Sequence, residues 1–121
     1  LEPNRIFDAI WGLDRAANFE DFREAAREFT VPAQNLVYAD VDGNIGYQMP
    51  GNIPIRESGD GRYPVPGWND DHEWKGYIPF DELPYLYNPP EDFISTANNQ
   101  IPPNDYPYLV TNDWDYGFRA E

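Results

Sequence analysis

An α+β fold is what this sequence predicts, on three observations. Helix-spaced apolar residues run through the first thirty positions, and a strand–turn–strand pattern follows at 35–49. Then 11 of the 13 prolines crowd between Pro50 and Pro107, too many for long regular elements. The expected architecture is N-terminal helices, a β-hairpin, and long Pro/Gly/aromatic-rich loops with short strands.

Residues 1–30 read as helical. Ile6, Ile10, Trp11 and Leu13 give a loose apolar stripe. Asn18 is placed to cap a second helix in which Phe19, Phe22, Ala25, Ala26 and Phe29 recur every three or four residues. Glu20 and Asp21 in its first turn and Arg27 near its end suit the helix dipole. The opposite face, with Arg23, Glu24, Arg27 and Glu28, is expected in solvent, and Pro32 to stop the helix. Asn35–Val41 and Asn44–Met49 read as a hairpin joined by a two-residue Asp42-Gly43 turn. Residues 50–107 are expected as ordered, extended loops, because Trp68, Trp74, Tyr77, Phe80, Tyr85, Tyr87 and Phe93 punctuate them. Phe93-Ile-Ser-Thr96 is apolar and β-branched, and reads as a short buried strand leading into Ala97-Asn98-Asn99. Residues 108–121 form a tail. The length fits one domain.

Composition narrows the function. With 22 acidic against 8 basic residues the formal charge is −14, and the single lysine is Lys75. Phosphate backbones and bare anionic membranes need clustered cations, so nucleic-acid binding is excluded as the main role. No apolar run reaches the ~18–20 residues of a membrane span. Absence of cysteine removes disulfides, thiolate metal sites and cysteine nucleophiles. Leu, Ile, Val and Phe make up only about a fifth of the chain, near the lower bound for folded proteins. Twenty aromatics offset this, since each can bury roughly 150–250 Å². A chain of this charge, opening on Leu1, is read as part of something larger, with some stability supplied by neighbours.

The residues alone supply no complete active site. His72 is the only histidine and sits among acids in Asn69-Asp-Asp-His-Glu-Trp74, a setting for a solvated turn. Ser58 and Ser95 are the only serines, and neither lies in a Gly-x-Ser-x-Gly elbow. Asp40, Asp42 and Asn44 mimic the first ligands of a calcium loop, but Ile45 stands where the loop needs glycine. Gly59-Asp60-Gly61 lacks the lysine of a phosphate loop. Asp70, Asp71, His72 and Glu73 are adjacent and cannot all converge on one cation. The pairs Asp81-Glu82 and Glu91-Asp92 arise by chance among 22 acids, and solvated carboxylates are the default.

An ordered series of words adds a further reading. Val31–Tyr47 (VPAQNLVYADVDGNIGY) is followed by Gly51-Asn-Ile-Pro-Ile-Arg56, Pro64-Val-Pro-Gly-Trp68 and Trp74-Lys-Gly-Tyr-Ile-Pro-Phe80. Leu83-Pro84, Asn88-Pro89-Pro90 and Thr96-Ala-Asn-Asn99 complete it, with Leu13-Asp14 and Asn18-Phe19 before it. The series resembles the penicillin acylase (penicillin amidase) family of N-terminal-nucleophile hydrolases, from about Leu13 to the end. The resemblance implies an interior piece of the second chain of an exported precursor, periplasmic or secreted, that cuts itself in two. Its strands would belong to an αββα sandwich, and its partners would be the first chain and the rest of the second. The nucleophile would be an N-terminal serine upstream of Leu1, using its own α-amine as base, which explains the missing triad. The fragment alone would be inactive.

The resemblance also implies that Asn98, first of the Asn-Asn pair, donates its amide to the oxyanion of a tetrahedral intermediate. From the residues alone, the favoured reading of Asn98 is a loop asparagine bonding its own backbone. Asn99 would be structural support. Gln34 falls where some members line the acyl pocket. The family's active-site arginine would follow just after Arg119-Ala120-Glu121, so Arg119 is not assigned its role. No cofactor is required for the chemistry. A structural calcium in the whole enzyme would take a backbone ligand near Gly61, in a stretch one residue shorter than the family version. The implied substrate is a small-molecule acyl amide, such as a β-lactam amide, an acyl-homoserine lactone or a lipopeptide. The alternative is a non-enzymatic binding module whose Trp68, Trp74, Tyr77, Tyr85 and Tyr87 form an aromatic platform for carbohydrate or peptide; exposed rings would favour it. An acidic, calcium-stabilised structural domain is the third reading.

Overall fold

Helix α1 (Ile6–Leu13) and helix α2 (Phe19–Arg27) lead the chain. The structure is a computed structural model that describes residues 4–121; Leu1–Pro3, the opening of the predicted helical stretch, lie outside the described residues. Asn18 caps α2 as expected: its Oδ1 accepts the Asp21 N–H at 2.8 Å, and the Asp21 carboxylate reaches back to the Ala17 N–H. Glu20 and Asp21 occupy its first turn and Arg27 its last. The helix ends at Arg27, several residues before Pro32.

The face of α1 that packs is not the predicted bulky stripe. Ala9 is fully buried, and a Cβ on Gly12 would lie 2.8 Å from that of Ala25. Small residues let the two helix backbones approach, so the larger side chains are pushed outward. Phe7, Ile10 and Trp11 are exposed, with the Arg15 guanidinium 5.7 Å from the Trp11 ring centre.

The hairpin is present as β1 (Leu36–Ala39) and β2 (Ile45–Gln48), antiparallel, with Tyr38 opposite Gly46. Its turn differs from the two-residue prediction. Asp40 N–H donates to Asn44 O, enclosing three residues with Gly43 at φ +87°. The cause is Asp40, whose carboxylate accepts from the backbone N–H groups of Asp42 and Asn44, from Asn44 Nδ2 and from the Tyr38 hydroxyl. These bonds, the Asn44 amide first, hold Asp40 below the usual carboxylate range. Burial and the Asp40 bond push the Tyr38 hydroxyl up to about 12. Four protein donors on one carboxylate account for the calcium-like spacing as a turn.

Short strands do form in the proline-rich stretch, where no proline occupies an interior strand position. Strand β3 (Pro54–Arg56) pairs antiparallel with β4 (Trp74–Tyr77), with a bulge between Ile55 and Arg56. A 3-10 turn at Phe80–Glu82 then leads to β5 (Tyr85–Tyr87), which adds to the free edge of β2. The first sheet therefore runs β1–β2–β5, and its central strand buries Gly46, Tyr47 and Gln48.

Helix α2 covers this sheet. Phe19, Phe22 and Tyr38 form its core, and Phe19 stacks on Tyr87 at 4.6 Å. Arg23, expected in solvent, is instead recruited: its side chain is only 15% exposed. Its Nε donates to the fully buried Gln48 Oε1 at 2.9 Å, and its guanidinium lies 4.0 Å over Tyr85. A buried amide oxygen needs a donor, and Arg23 is the one supplied. A second core is formed by Ile53, Ile78 and Leu83, with Ile55, Phe80 and Tyr108 packed against it.

Phe93–Thr96 is not a buried strand. The segment has no ladder partner, and Phe93 is 64% exposed. No neighbouring edge is offered to it, since β1–β2–β5 and β3–β4 are complete without it. Ser95 Oγ donates to Ala120 O in the tail. No helix among the described residues is long and apolar enough to cross a membrane.

Candidate active site

Asn98 stands in a loop built by its neighbours. Asn99 Oδ1 accepts the Ala97 N–H at 2.9 Å and closes a tight turn across it. Asn98 takes the left-handed conformation, φ +61°, which asparagine tolerates better than most residues. The backbone-bonding asparagine of the pair is thus Asn99, and the Asn98 side chain is left for something else.

The tail reaches Asn98. Asp115 N–H donates to the Asn98 carbonyl at 2.8 Å, and Arg119 Nη2 donates to Asn98 Oδ1 at 2.8 Å. Among the described residues no acceptor engages Asn98 Nδ2. The residue lines an open cleft of about 670 Å³ with Asn112, Trp114, Asp115, Tyr116 and Arg119. An asparagine whose oxygen is held and whose NH2 is free can donate to an oxygen that gains charge there.

The other candidates sit elsewhere. Gln34 is exposed, its N–H donates to Pro50 O, and it does not line the Asn98 cleft. Ser58 and His72 do meet, with Ser58 Oγ 2.8 Å from His72 Nδ1. This is not a nucleophile and its base. Ser58 donates its one proton to Asp71 O at 2.6 Å, so Nδ1 must carry a proton and donate to Oγ.

The Arg56 guanidinium packs over Gly61, and Asp60 is held by Arg62 and Asn112. Bonds from Arg62 keep Asp60 below the usual carboxylate range. No group of three or more His, Cys, Asp or Glu is arranged to hold a metal among the described residues.

The five aromatics of the proposed platform are all exposed, Trp68 most of all at 86%. They are spread over two sheets and a loop, and only Trp74 and Tyr77 meet, edge to face at 6.3 Å. Tyr87 lies against Phe19 and Tyr85 under Arg23, so both rings serve the helix–sheet junction.

Reading by motif set Arg119 aside and missed Asp115. The only local sign of either was an acid and an arginine four residues apart in the tail.

Fold and sequence can both be set beside known proteins. The family model described as penicillin amidase matches residues 1–121. The acyl-homoserine lactone acylase QuiP of Pseudomonas fluorescens Pf-5 is 38% identical over 121 residues, covering 100% of this chain and 15% of the relative. The penicillin acylase 2 proenzyme of Pseudomonas sp. SE83 is 35% identical over 120 residues, 99% of this chain and 16% of its own length. A thermostable penicillin G acylase from Alcaligenes faecalis superposes with a TM-score of 0.73 at 33% identity, over 90% of this chain and 19% of that one. The chain belongs to the penicillin amidase family. It spans about a seventh of the length of the curated relatives it matches and has the fold of the matching part of a penicillin acylase.

Proposed function

We propose that this chain is an interior part of the second chain of an acylase that hydrolyses the amide between an acyl group and an amine, and that Asn98 is its oxyanion donor. The observation that carries the reading is the state of the Asn98 side chain: oxygen held by Arg119, NH2 unengaged, facing an open cleft. The nucleophile is an N-terminal serine upstream of Leu1, with its α-amine as base. Attack on the amide carbonyl puts negative charge on its oxygen, and a neutral donor already in place binds that charge better than the ground-state carbonyl. Family membership supports the amide chemistry, and the names of the relatives point to acyl-homoserine lactones or β-lactam amides. The precursor is exported, and the first chain and the rest of the second complete the site.

Asn98→Ala in the complete enzyme should lower kcat by about 10²–10³-fold, far beyond the small loss of melting temperature that alanine at a positive φ brings. Turnover within a few-fold of wild type would remove Asn98 from the mechanism.

The exposed aromatic rings favour a second reading, a carbohydrate- or peptide-binding surface. Their dispersal over separate elements argues against one platform. Exposure is also expected where the chain is about a seventh of its relatives' length, since the remainder would cover such surface. The isolated chain should neither hydrolyse acyl amides nor retain polysaccharide in affinity electrophoresis; retention would revive the binding module.

A further inference from the structure

A carboxamide offers nearly the same shape with its oxygen and nitrogen exchanged, yet only one orientation donates to an oxyanion. In this chain the choice is made by Arg119. A guanidinium carries donors and no acceptor, so it accepts only the oxygen end of Asn98 as its neighbour. Its Nη2 shares its protons among Asn98 Oδ1 at 2.8 Å, Ala97 O at 2.8 Å and Asp115 Oδ2 at 2.6 Å, while Nε donates to Asp115 Oδ2 at 3.1 Å. Asp115 closes the ring from the other side through its N–H on the Asn98 carbonyl.

We propose that Arg119, held by Asp115, is the positioning residue that fixes the Asn98 amide with its NH2 toward the reacting carbonyl. The inference rests on the reading of Asn98 as oxyanion donor. Reversing the amide would set NH2 against a cation, so the productive orientation is the only satisfied one. A cation on Oδ1 also draws electron density from the amide and sharpens its N–H as a donor. The clasp is open to solvent, with the Arg119 side chain 60% exposed, so it supplies orientation rather than stability. Bonds from Arg119, with the Tyr116 N–H after them, hold the Asp115 carboxyl below the ordinary range.

The test uses the complete, processed enzyme and a panel of N-acyl-homoserine lactones and chromogenic N-acyl anilides. Arg119→Ala should lower kcat by about 10–10²-fold, with KM within about threefold and the melting temperature unchanged. Added guanidinium at millimolar concentration should recover part of that loss. In an Asn98→Ala background the same change should cost less than about twofold, because the group it positions is gone. Asp115→Asn, nearly isosteric, should move kcat in the same direction by less, which covers the case of a poorly folding Arg119 variant. Normal kcat in Arg119→Ala, or a full additional loss in the double variant, would overturn the positioning role while leaving Asn98 in place. Normal kcat in Asn98→Ala would overturn both.

Discussion

Asn18 and Asn98 are both loop asparagines, and the physics that separates them is which end of the amide is occupied. Asn18 gives its oxygen to the Asp21 N–H and starts a helix. Asn98 gives its oxygen to a guanidinium and keeps its nitrogen free. Asn18→Ala should cost about 1 kcal/mol of stability with no direct effect on turnover, read by urea denaturation of the complete enzyme. Asn98→Ala should act chiefly on turnover, with only the modest stability cost of alanine at a positive φ. Asn18 was legible in the sequence because capping is decided within four residues. Asn98 was legible only through the surrounding words, since an isolated Asn-Asn pair has a local backbone explanation as well. The Arg119 contact was not legible, because it joins residues 21 apart across a tail with no periodicity.

At the scale of elements, the α2–sheet junction depends on the lack of a side chain at Gly46. A Cβ there would lie 2.3 Å from the Phe19 ring, and Phe19 cannot yield without leaving Tyr87 and Tyr38. Gly46→Ala should therefore destabilise by about 1–3 kcal/mol, measured as a shift in urea midpoint. A change below about 0.5 kcal/mol would mean that α2 rides more loosely on the sheet. Element type was readable where a period existed: helix α2 and both hairpin strands follow their patterns. Three features depended on partners that sequence spacing does not reveal. The turn lengthened because Asp40 found four donors, Arg23 turned inward because Gln48 is buried beneath it, and Phe93–Thr96 found no strand to pair with.

The whole molecule carries a charge of −14, and a few of its acids are bonded strongly enough to titrate low. Asp40, Asp60, Asp81 and Asp115 are each held below the usual carboxylate range by hydrogen bonds, led by Asn44, Arg62, Arg27 and Arg119 respectively. Their folded values lie below the unfolded value of about 3.9, so what they contribute is present above that pH and lost as pH falls through the lower folded values. Native tertiary signal, followed by near-ultraviolet circular dichroism, should hold from pH 7 to about 5 and fall only below about 4. Loss of structure between pH 7 and 5 would point to groups other than these. The central claim, that the chain belongs to a self-processed N-terminal-nucleophile acylase, is tested most directly by intact mass and N-terminal sequencing of the product of the complete reading frame. Two chains, the second opening on a serine upstream of Leu1, are the predicted result. A single uncut chain would contradict the account.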